Sequence, residues 1–137
     1  MSYLLDTNAC IALINGAPAL VRSRFQKAAD SGTKIHVASV VTFELWYGVA
    51  NSARPALNAQ RLATFLSGPV TVLPFEDEDS RIAGSIRASL EVGGKPIGAY
   101  DVLIAGQAVA RQLTLVTANV SEFSGVKGLS WQDWAKP

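Results

Sequence analysis

The sequence is poor in the residues that build disulfides and soft metal sites. Among 137 residues it has one cysteine, Cys10, and one histidine, His36. A single cysteine cannot form an intramolecular disulfide, which fits a reducing compartment. His36 lies in a β-branched run and has no second histidine to complete a metal site, so we expect it to be structural.

Charge and long apolar runs are also scarce. The formal net charge is +1, which excludes a strongly basic scaffold but leaves room for a local basic patch. Asp6 interrupts the first apolar run and no basic region precedes it, so no secretory signal is expected. No run approaches the roughly 18 apolar residues of a membrane span. The sequence also lacks a Gly-x-Ser-x-Gly elbow, a P-loop and a dinucleotide fingerprint. We therefore expect a cytoplasmic protein with no membrane segment.

What the sequence does contain is an alternation of short apolar strands and amphipathic helices. This alternation is typical of an α/β protein with a mostly parallel sheet, and no linker divides residues 1–137 into two domains. Strands are predicted at 3–5, 35–41, 70–75 and 113–116. Helices are predicted at about 9–13, 18–30, 42–50, 55–66 and 76–92, followed by an apolar helix with Asp101 in its first turn.

Four polar residues fall where a parallel sheet places its ligands, outside the carboxyl ends of the strands. Asp6 ends the first strand, Glu44 follows the second, and Asn119 follows the last. Asp101 starts the helix that precedes the last strand. Crowded carboxylates repel one another unless a cation is present, and oxygen ligands without nearby His or Cys favour Mg²⁺ or Mn²⁺. Such a site suits phosphodiester hydrolysis.

Each carboxylate also has a simpler explanation. Asp6 could cap the following helix or form an Asx-turn, Glu44 could be a solvated helix charge, and Asp101 could interact with the helix dipole. The apolar neighbours of Glu44 argue for a carboxylate that turns inward, and neither Glu44 nor Asp101 has the partner of a capping box. The run 76–79 is most simply a helix N-terminal cap.

Four segments resemble the PIN domain, and more narrowly the VapC toxins of bacterial toxin–antitoxin pairs. They are Leu5-Asp6-Thr7-Asn8, residues 39–48 around Glu44, residues 97–105 around Asp101, and Leu115-Val116-Thr117-Ala118-Asn119. Their order and spacing match along nearly the whole chain. The tail, with Glu122-Phe123 and Trp134, also resembles the VapC ending.

The resemblance implies a three-layer α/β/α sandwich and a metal-dependent endoribonuclease. Asp6, Glu44 and Asp101 match the acidic metal-binding positions, and Thr7 and Thr117 match hydroxyl positions that orient them. Asn119 falls at a fourth polar position that is often Asp in the family. Asn119 adds no charge, which favours one Mg²⁺ over two, and Glu122 is a less favoured substitute.

The resemblance also implies partners. Family members are usually homodimers that a small VapB-like antitoxin holds inactive by occupying an apolar groove. Trp46, Tyr47 and the helix from Pro55 to Leu66 are the expected groove-forming residues, and tRNA is the leading substrate. Arg22, Arg24 and Lys95 are expected to hold the RNA backbone. Two other functions stay open: a PIN-fold module that binds RNA or protein without cleavage, and an Mg²⁺ phosphatase.

Overall fold

The computed structural model describes residues 1–137 and is built around one five-stranded sheet. The strands are β1 (Tyr3–Leu5), β2 (Ile35–Ala38), β3 (Thr71–Leu73), β4 (Thr114–Val116) and β5 (Ser130–Gln132). Their order across the sheet is β3-β2-β1-β4-β5, and all four pairings are parallel. The carboxyl end of β1 therefore lies between those of β2 and β4, at the centre of one edge.

Seven helices flank this sheet, and the predicted α/β class is confirmed. They are α1 (Thr7–Asn15), α2 (Ala19–Asp30), α3 (Ser39–Ala50), α4 (Pro55–Leu66), α5 (Asp77–Val92), α6 (Ala99–Ala110) and α7 (Val120–Phe123). Helix α1 ends at Gly16, whose φ of 75° is in the left-handed region that glycine adopts without strain. None of the helices combines the length and apolar character needed to cross a bilayer.

Several element bounds differ from the sequence prediction, and one strand is additional. The strand expected over 35–41 ends at Ala38, and α3 begins at Ser39, so Val40 and Val41 are helical despite their β-branched side chains. Val41 is completely buried, and its packing into the core overrides its local preference. The tail also adds β5 beside β4, a strand that was not expected.

One hydrophobic core runs along the sheet and its helices. Leu4 and Leu5 of β1 and Leu115 of β4 are fully buried at its centre. Each such leucine stabilises the fold by roughly 1.5–3 kcal/mol. Trp134 is also buried and packs edge-to-face on Tyr3 with 5.0 Å between ring centroids. This contact holds the C-terminal tail against β1.

A buried ion pair and a tight helix contact fix α6, which carries Asp101. Arg111 donates from Nε and Nη2 to the two carboxylate oxygens of Asp79, both at 3.1 Å, and Asp79 is fully buried. Burial alone would raise the pKa of Asp79, but the hydrogen bonds and charge of Arg111 outweigh it and lower the pKa. A Cβ at Gly106 of α6 would lie only 2.5 Å from Ala83 Cβ of α5. Helix α6 is therefore held against α5 by the close contact at Gly106 and by the ion pair between Arg111 and Asp79.

The acidic run at 76–79 forms the expected helix cap, with one addition. Glu76 and Asp79 make a capping box in which the Glu76 N–H donates to Asp79 Oδ2 at 2.8 Å. Asp79 also accepts from Gln107 Nε2 at 3.3 Å. The capping carboxylate is thus shared with α6, which the sequence pattern did not indicate.

Candidate active site

The carboxyl edge of the sheet gathers the polar residues that the sequence singled out. Asp6 follows β1, Glu44 lies in α3 after β2, and Asn119 follows β4. Asp101 lies in the first turn of α6. Asp6 and Glu44 both contribute to raising the pKa of Asp101, after its burial and its contact with Glu122, so the acidic side chains act on one another at one edge.

Asp6 is buried, with 5% of its surface exposed. Its Oδ1 accepts from the Ala9 N–H at 2.8 Å, so the capping alternative describes part of its role. Burial raises the pKa of Asp6, whereas the nearby Thr117 side chain and the Ala9 N–H lower it, and the charge of Glu44 adds to the increase. A nearby cation would favour the ionised form of Asp6.

Glu44 is held by the residue that follows Asp6. The Thr7 hydroxyl donates to Glu44 Oε1 at 2.7 Å, although the two residues are 37 positions apart. Thr7 starts α1 and Glu44 lies in the middle of α3, so this bond joins the helices that follow two neighbouring strands. The Thr7 hydroxyl thereby fixes one oxygen of Glu44 on the side that faces the other carboxylates.

Asp101 and Glu122 are neighbouring acids, because a Cβ built on Gly98 would lie within 4 Å of a carboxylate oxygen of each. The charge of Glu122 therefore acts on Asp101. Burial, the contact with Glu122 and the charges of Glu122, Glu44 and Asp6 together raise the pKa of Asp101 to about 7. The four carboxylates therefore repel one another at this edge, and a bound cation would reduce that repulsion.

Glu122 is the site residue that sequence reasoning undervalued. Its Oε1 accepts from the Gly98 N–H at 2.9 Å, and its Oε2 accepts from Asn119 Nδ2 at 2.6 Å. Donation from Gly98 is the largest effect that lowers the pKa of Glu122. The available signal was the spacing, because Glu122 lies three residues after Asn119 at the start of the short helix α7. Asn119 thus supplies no carboxylate itself, but its amide group holds the carboxylate of Glu122.

Gly98 has a steric role at this point. A Cβ there would lie 3.3 Å from Asp101 Oδ2 and 3.6 Å from Glu122 Oε1. The first distance is tighter than an ordinary contact, so a side chain would press on the acidic pair. Glycine lets the backbone N–H approach Glu122 without displacing Asp101.

The donor set fits a hard divalent cation. Asp6, Glu44, Asp101 and Glu122 offer only carboxylate oxygens, which suit Mg²⁺ or Mn²⁺ rather than zinc. No three acidic, histidine or cysteine side chains lie together in the fold as a ready-made set of metal ligands. Mg²⁺ does not require such a set, since it is usually bound by one or two carboxylates and keeps several waters. The site therefore suits an ion that remains partly hydrated.

Two clefts of different character meet at this edge. An apolar groove of about 270 Å³ lies between α1, α3 and α4, and Glu44 is part of its wall. It is lined by Ile11, Ile14, Asn15, Glu44, Leu45, Gly48, Val49, Asn58, Arg61 and Leu62. The helix from Pro55 to Leu66 contributes Asn58, Arg61 and Leu62 to this groove. Trp46 and Tyr47 do not line this groove, because they lie on another face of α3 and are 43% and 63% exposed.

The second cleft is polar, with a volume of about 670 Å³, and it borders Asn119 and Glu122. Lys95 stands on its wall, as expected for a residue that holds a substrate near the carboxylates. The other two basic residues lie elsewhere. Arg24 donates to the backbone oxygens of Asp133 and Pro137, and Arg22 lines a cavity at the far end of the apolar groove.

Comparisons with known proteins give matches over nearly the whole chain. The model of the PIN domain matches residues 3–129. A tRNA(fMet)-specific endonuclease VapC from Shigella flexneri is 39% identical over 98% of this chain and 99% of its own length. Ribonuclease VapC2 from Rickettsia felis is 37% identical over 99% and 100%. The crystal structure of VapBC2 from Rickettsia felis bound to a promoter DNA fragment matches with a TM-score of 0.92 and 35% identity, covering 98% of this chain and 99% of that one.

Proposed function

Because this chain belongs to the PIN-domain family, and within it to the VapC ribonucleases, we propose that it is a metal-dependent endoribonuclease and the toxin of a VapBC-type pair. The observation that carries this proposal is the placement of Asp6, Glu44 and Asp101 at one edge of the sheet, close enough for the charges of Asp6 and Glu44 to act on Asp101. Residues 1–137 share one sheet and one core, so we propose that they act as a single PIN domain.

Asp6, Glu44 and Asp101 are the proposed ligands of one Mg²⁺, with Mn²⁺ as a substitute, and Glu122 completes the acidic set. When bound, the ion neutralises part of this charge and supplies Lewis-acid activation for phosphodiester hydrolysis. Thr7 keeps Glu44 in place through its 2.7 Å hydrogen bond. Thr117 lies near Asp6 and lowers its pKa against the effect of burial.

Asn119 and Gly98 have a supporting role in this proposal. Asn119 donates to one oxygen of Glu122 and the Gly98 N–H donates to the other, so the Glu122 side chain cannot rotate away from Asp101. Asn119 therefore acts through Glu122 as a positioning residue. This arrangement keeps the acidic set complete although the position after β4 carries an amide.

The proposed substrate is tRNA, and the proposed location is the cytoplasm, where tRNA is found. The relative from Shigella flexneri is named as specific for tRNA(fMet), and it matches this chain over nearly its whole length. The polar cleft beside Glu122 opens to solvent and carries Lys95, which suits a phosphate backbone.

The proposed inhibitor is a VapB-like antitoxin that occupies the apolar groove between α1, α3 and α4. Ile11 is 41% exposed in this groove, and Leu45 and Leu62 form its floor. A partner chain that covers these residues buries apolar area and reaches Glu44 at the same time. An Ile11→Glu variant should retain RNA cleavage and escape inhibition. Full inhibition of this variant would contradict the assignment of the groove.

The proposed homodimer contact is a second apolar face, formed by Phe43, Trp46 and Tyr47 of α3 and Tyr100 of α6. Phe43 and Tyr100 are in edge-to-face contact with 5.6 Å between centroids. The two helices contain no lysine or arginine, which disfavours RNA and suits an isologous contact between copies. Light scattering should report a dimer for the wild type and a monomer for Tyr47→Glu. A wild-type monomer at micromolar concentration would refute this assignment.

The direct test of the proposed function is cleavage of a tRNA transcript with Mg²⁺ or Mn²⁺. Asp6→Asn, Glu44→Gln and Asp101→Asn should each lose activity, while Asp30→Asn, an exposed acid on α2, should keep it. Undiminished cleavage in the three site variants would refute the mechanism. RNA binding without any cleavage by the wild type would favour a binding module, and release of phosphate from phosphomonoesters would favour a phosphatase.

A further inference from the structure

The polar cleft is a separate space from the apolar groove, although both reach the carboxylates. It lies between the loop before α6, the end of α5 and the segment around α7. Its walls are Leu90, Lys95, Pro96, Ile97, Asn119, Ser121, Glu122, Ser124 and Gly125. Asn119 and Glu122 belong to the acidic site as well, so a chain lying in the cleft passes directly beside Asp101.

One lysine without a salt-bridge partner lines this cleft, and a second lies in the cavity next to it. Lys95 is part of its wall, and Lys127 lines a smaller cavity of about 160 Å³ that shares Leu90 and Gly125 with it. Neither lysine makes a salt bridge, whereas nearby Arg87 is paired with Glu91 at 3.2 Å. Both ammonium groups are therefore free to pair with an anionic ligand.

The remaining wall offers hydrogen bonds rather than apolar area. Ser121 and Ser124 are exposed hydroxyl residues on the same side as Glu122. Their only hydrogen bonds in the fold are long, at 3.5 Å, so the hydroxyls can turn to a ligand. Cations and hydroxyl groups beside one groove match the phosphates and ribose hydroxyls of RNA.

We infer that the polar cleft binds an unpaired RNA strand on one side of the bond that is cut, with Lys95 and Lys127 each on a backbone phosphate. The inference rests on the proposed ribonuclease function and assigns the substrate path of that site. A volume of about 670 Å³ accommodates a single strand but not a helix, so the strand must be unpaired beside the site. The apolar groove on the other side is left to the partner protein.

Binding measured without cleavage tests this path. A fluorescent single-stranded RNA is titrated with protein in EDTA, and the salt dependence of the association constant is recorded for wild type, Lys95→Gln, Lys127→Gln and the double variant. Each lost phosphate contact should reduce the slope of log K against log salt by about 0.7. The same term corresponds to about fourfold weaker binding per lysine at 0.15 M salt, and about fifteenfold for the double variant.

Lys34→Gln is the matched control. Lys34 is also exposed and carries the same charge, but it precedes β2 at the opposite edge of the sheet. It should leave both affinity and slope unchanged. Wild-type affinity in the double variant, or an equal loss in Lys34→Gln, would overturn the inference.

A steric variant tests the same path without changing charge. A Cβ at Gly125 would lie 3.8 Å from Leu90 Cδ2, an ordinary contact, so Gly125→Ala should bind RNA normally and Gly125→Phe should fill the cleft and bind at least tenfold more weakly. Equal affinities for these two folded variants would overturn the inference. If the lysine and glycine effects appear but the wild type never cleaves RNA, the ribonuclease function fails while the strand path stands.

Discussion

Asp101→Asn should abolish cleavage and at the same time stabilise the metal-free fold. Asp101 has a pKa of about 7 in the folded protein, against an ordinary value of 3.8. The folded state therefore binds a proton more tightly than the unfolded state, and wild-type stability falls as the pH rises from about 4 to 7. Asparagine does not titrate, so the variant lacks this loss of stability. The free energies of unfolding of the two proteins should therefore diverge from about pH 4 to 7 and differ most at pH 8.

The size of the effect follows from the pKa. A difference of about three units sets a ceiling of about 4 kcal/mol. The contact that raises the pKa of Asp101 lowers that of Glu122, and asparagine loses a favourable interaction with the N-terminus of α6, so we expect a net gain of about 1–2 kcal/mol. With an unfolding entropy of roughly 0.3 kcal/mol/K for a chain of this length, the melting temperature rises by about 3–7 °C.

Thermal unfolding in EDTA at pH 4, 6 and 8 measures this difference. The gain should be close to zero at pH 4 and largest at pH 8. Added Mg²⁺ should stabilise the wild type more than the variant, because binding to the folded state adds free energy only where the site is intact. A variant that is no more stable than the wild type at pH 8 would refute the claim that crowded carboxylates strain this edge.

Three further predictions concern the helices that seat the site. Arg111→Met should lower the free energy of unfolding by about 3–5 kcal/mol in urea titrations, because it leaves the fully buried Asp79 without its cation. The pKa of Asp79 is lowered in the fold, so the stabilisation by the Arg111–Asp79 pair is present above about pH 4 and is lost as the pH falls further. The difference in free energy of unfolding between the wild type and the Arg111 variant should therefore become smaller in acid. Gly106→Ala should lower the free energy of unfolding by about 1–3 kcal/mol and reduce cleavage, because its Cβ collides with Ala83. In the neighbouring helix α5, the Cβ of Gly84→Ala meets open space, so this variant should keep both its stability and its activity.

These predictions have clear contrary outcomes. A loss of less than 1 kcal/mol in the Arg111 variant would show that the buried pair does not clamp α6 to α5. A difference that persists unchanged at pH 2 would place the effect in side-chain packing rather than in charge. Equal behaviour of the Gly106 and Gly84 variants would show that the helix contact tolerates a methyl group.

Much of the site could be predicted because the rule that places it depends on strand order alone. Asp6, Glu44 and Asn119 follow strands that pair in parallel, so the topology brings their positions to one edge. Asp101 was noticeable for a different reason, as a carboxylate in an otherwise apolar helix. Neither signal depends on the side-chain contacts that the fold adds later.

The rest depended on contacts that local patterns do not specify. Helix α3 is apolar on nearly every side, so periodicity could not tell that Glu44 faces the groove while Trp46 and Tyr47 face away. Glu122 became important through its bonds to Gly98 and Asn119, and the first of these spans 24 positions.

The central claim is that Asp6, Glu44 and Asp101 surround a divalent ion at the carboxyl edge of the sheet. The most direct measurement is anomalous diffraction from crystals of the wild type soaked in Mn²⁺. We expect one strong anomalous peak in contact with Asp6 and Asp101, which disappears in crystals of Asp101→Asn soaked in the same way. A peak only at other surfaces, or the same peak in both proteins, would contradict the account.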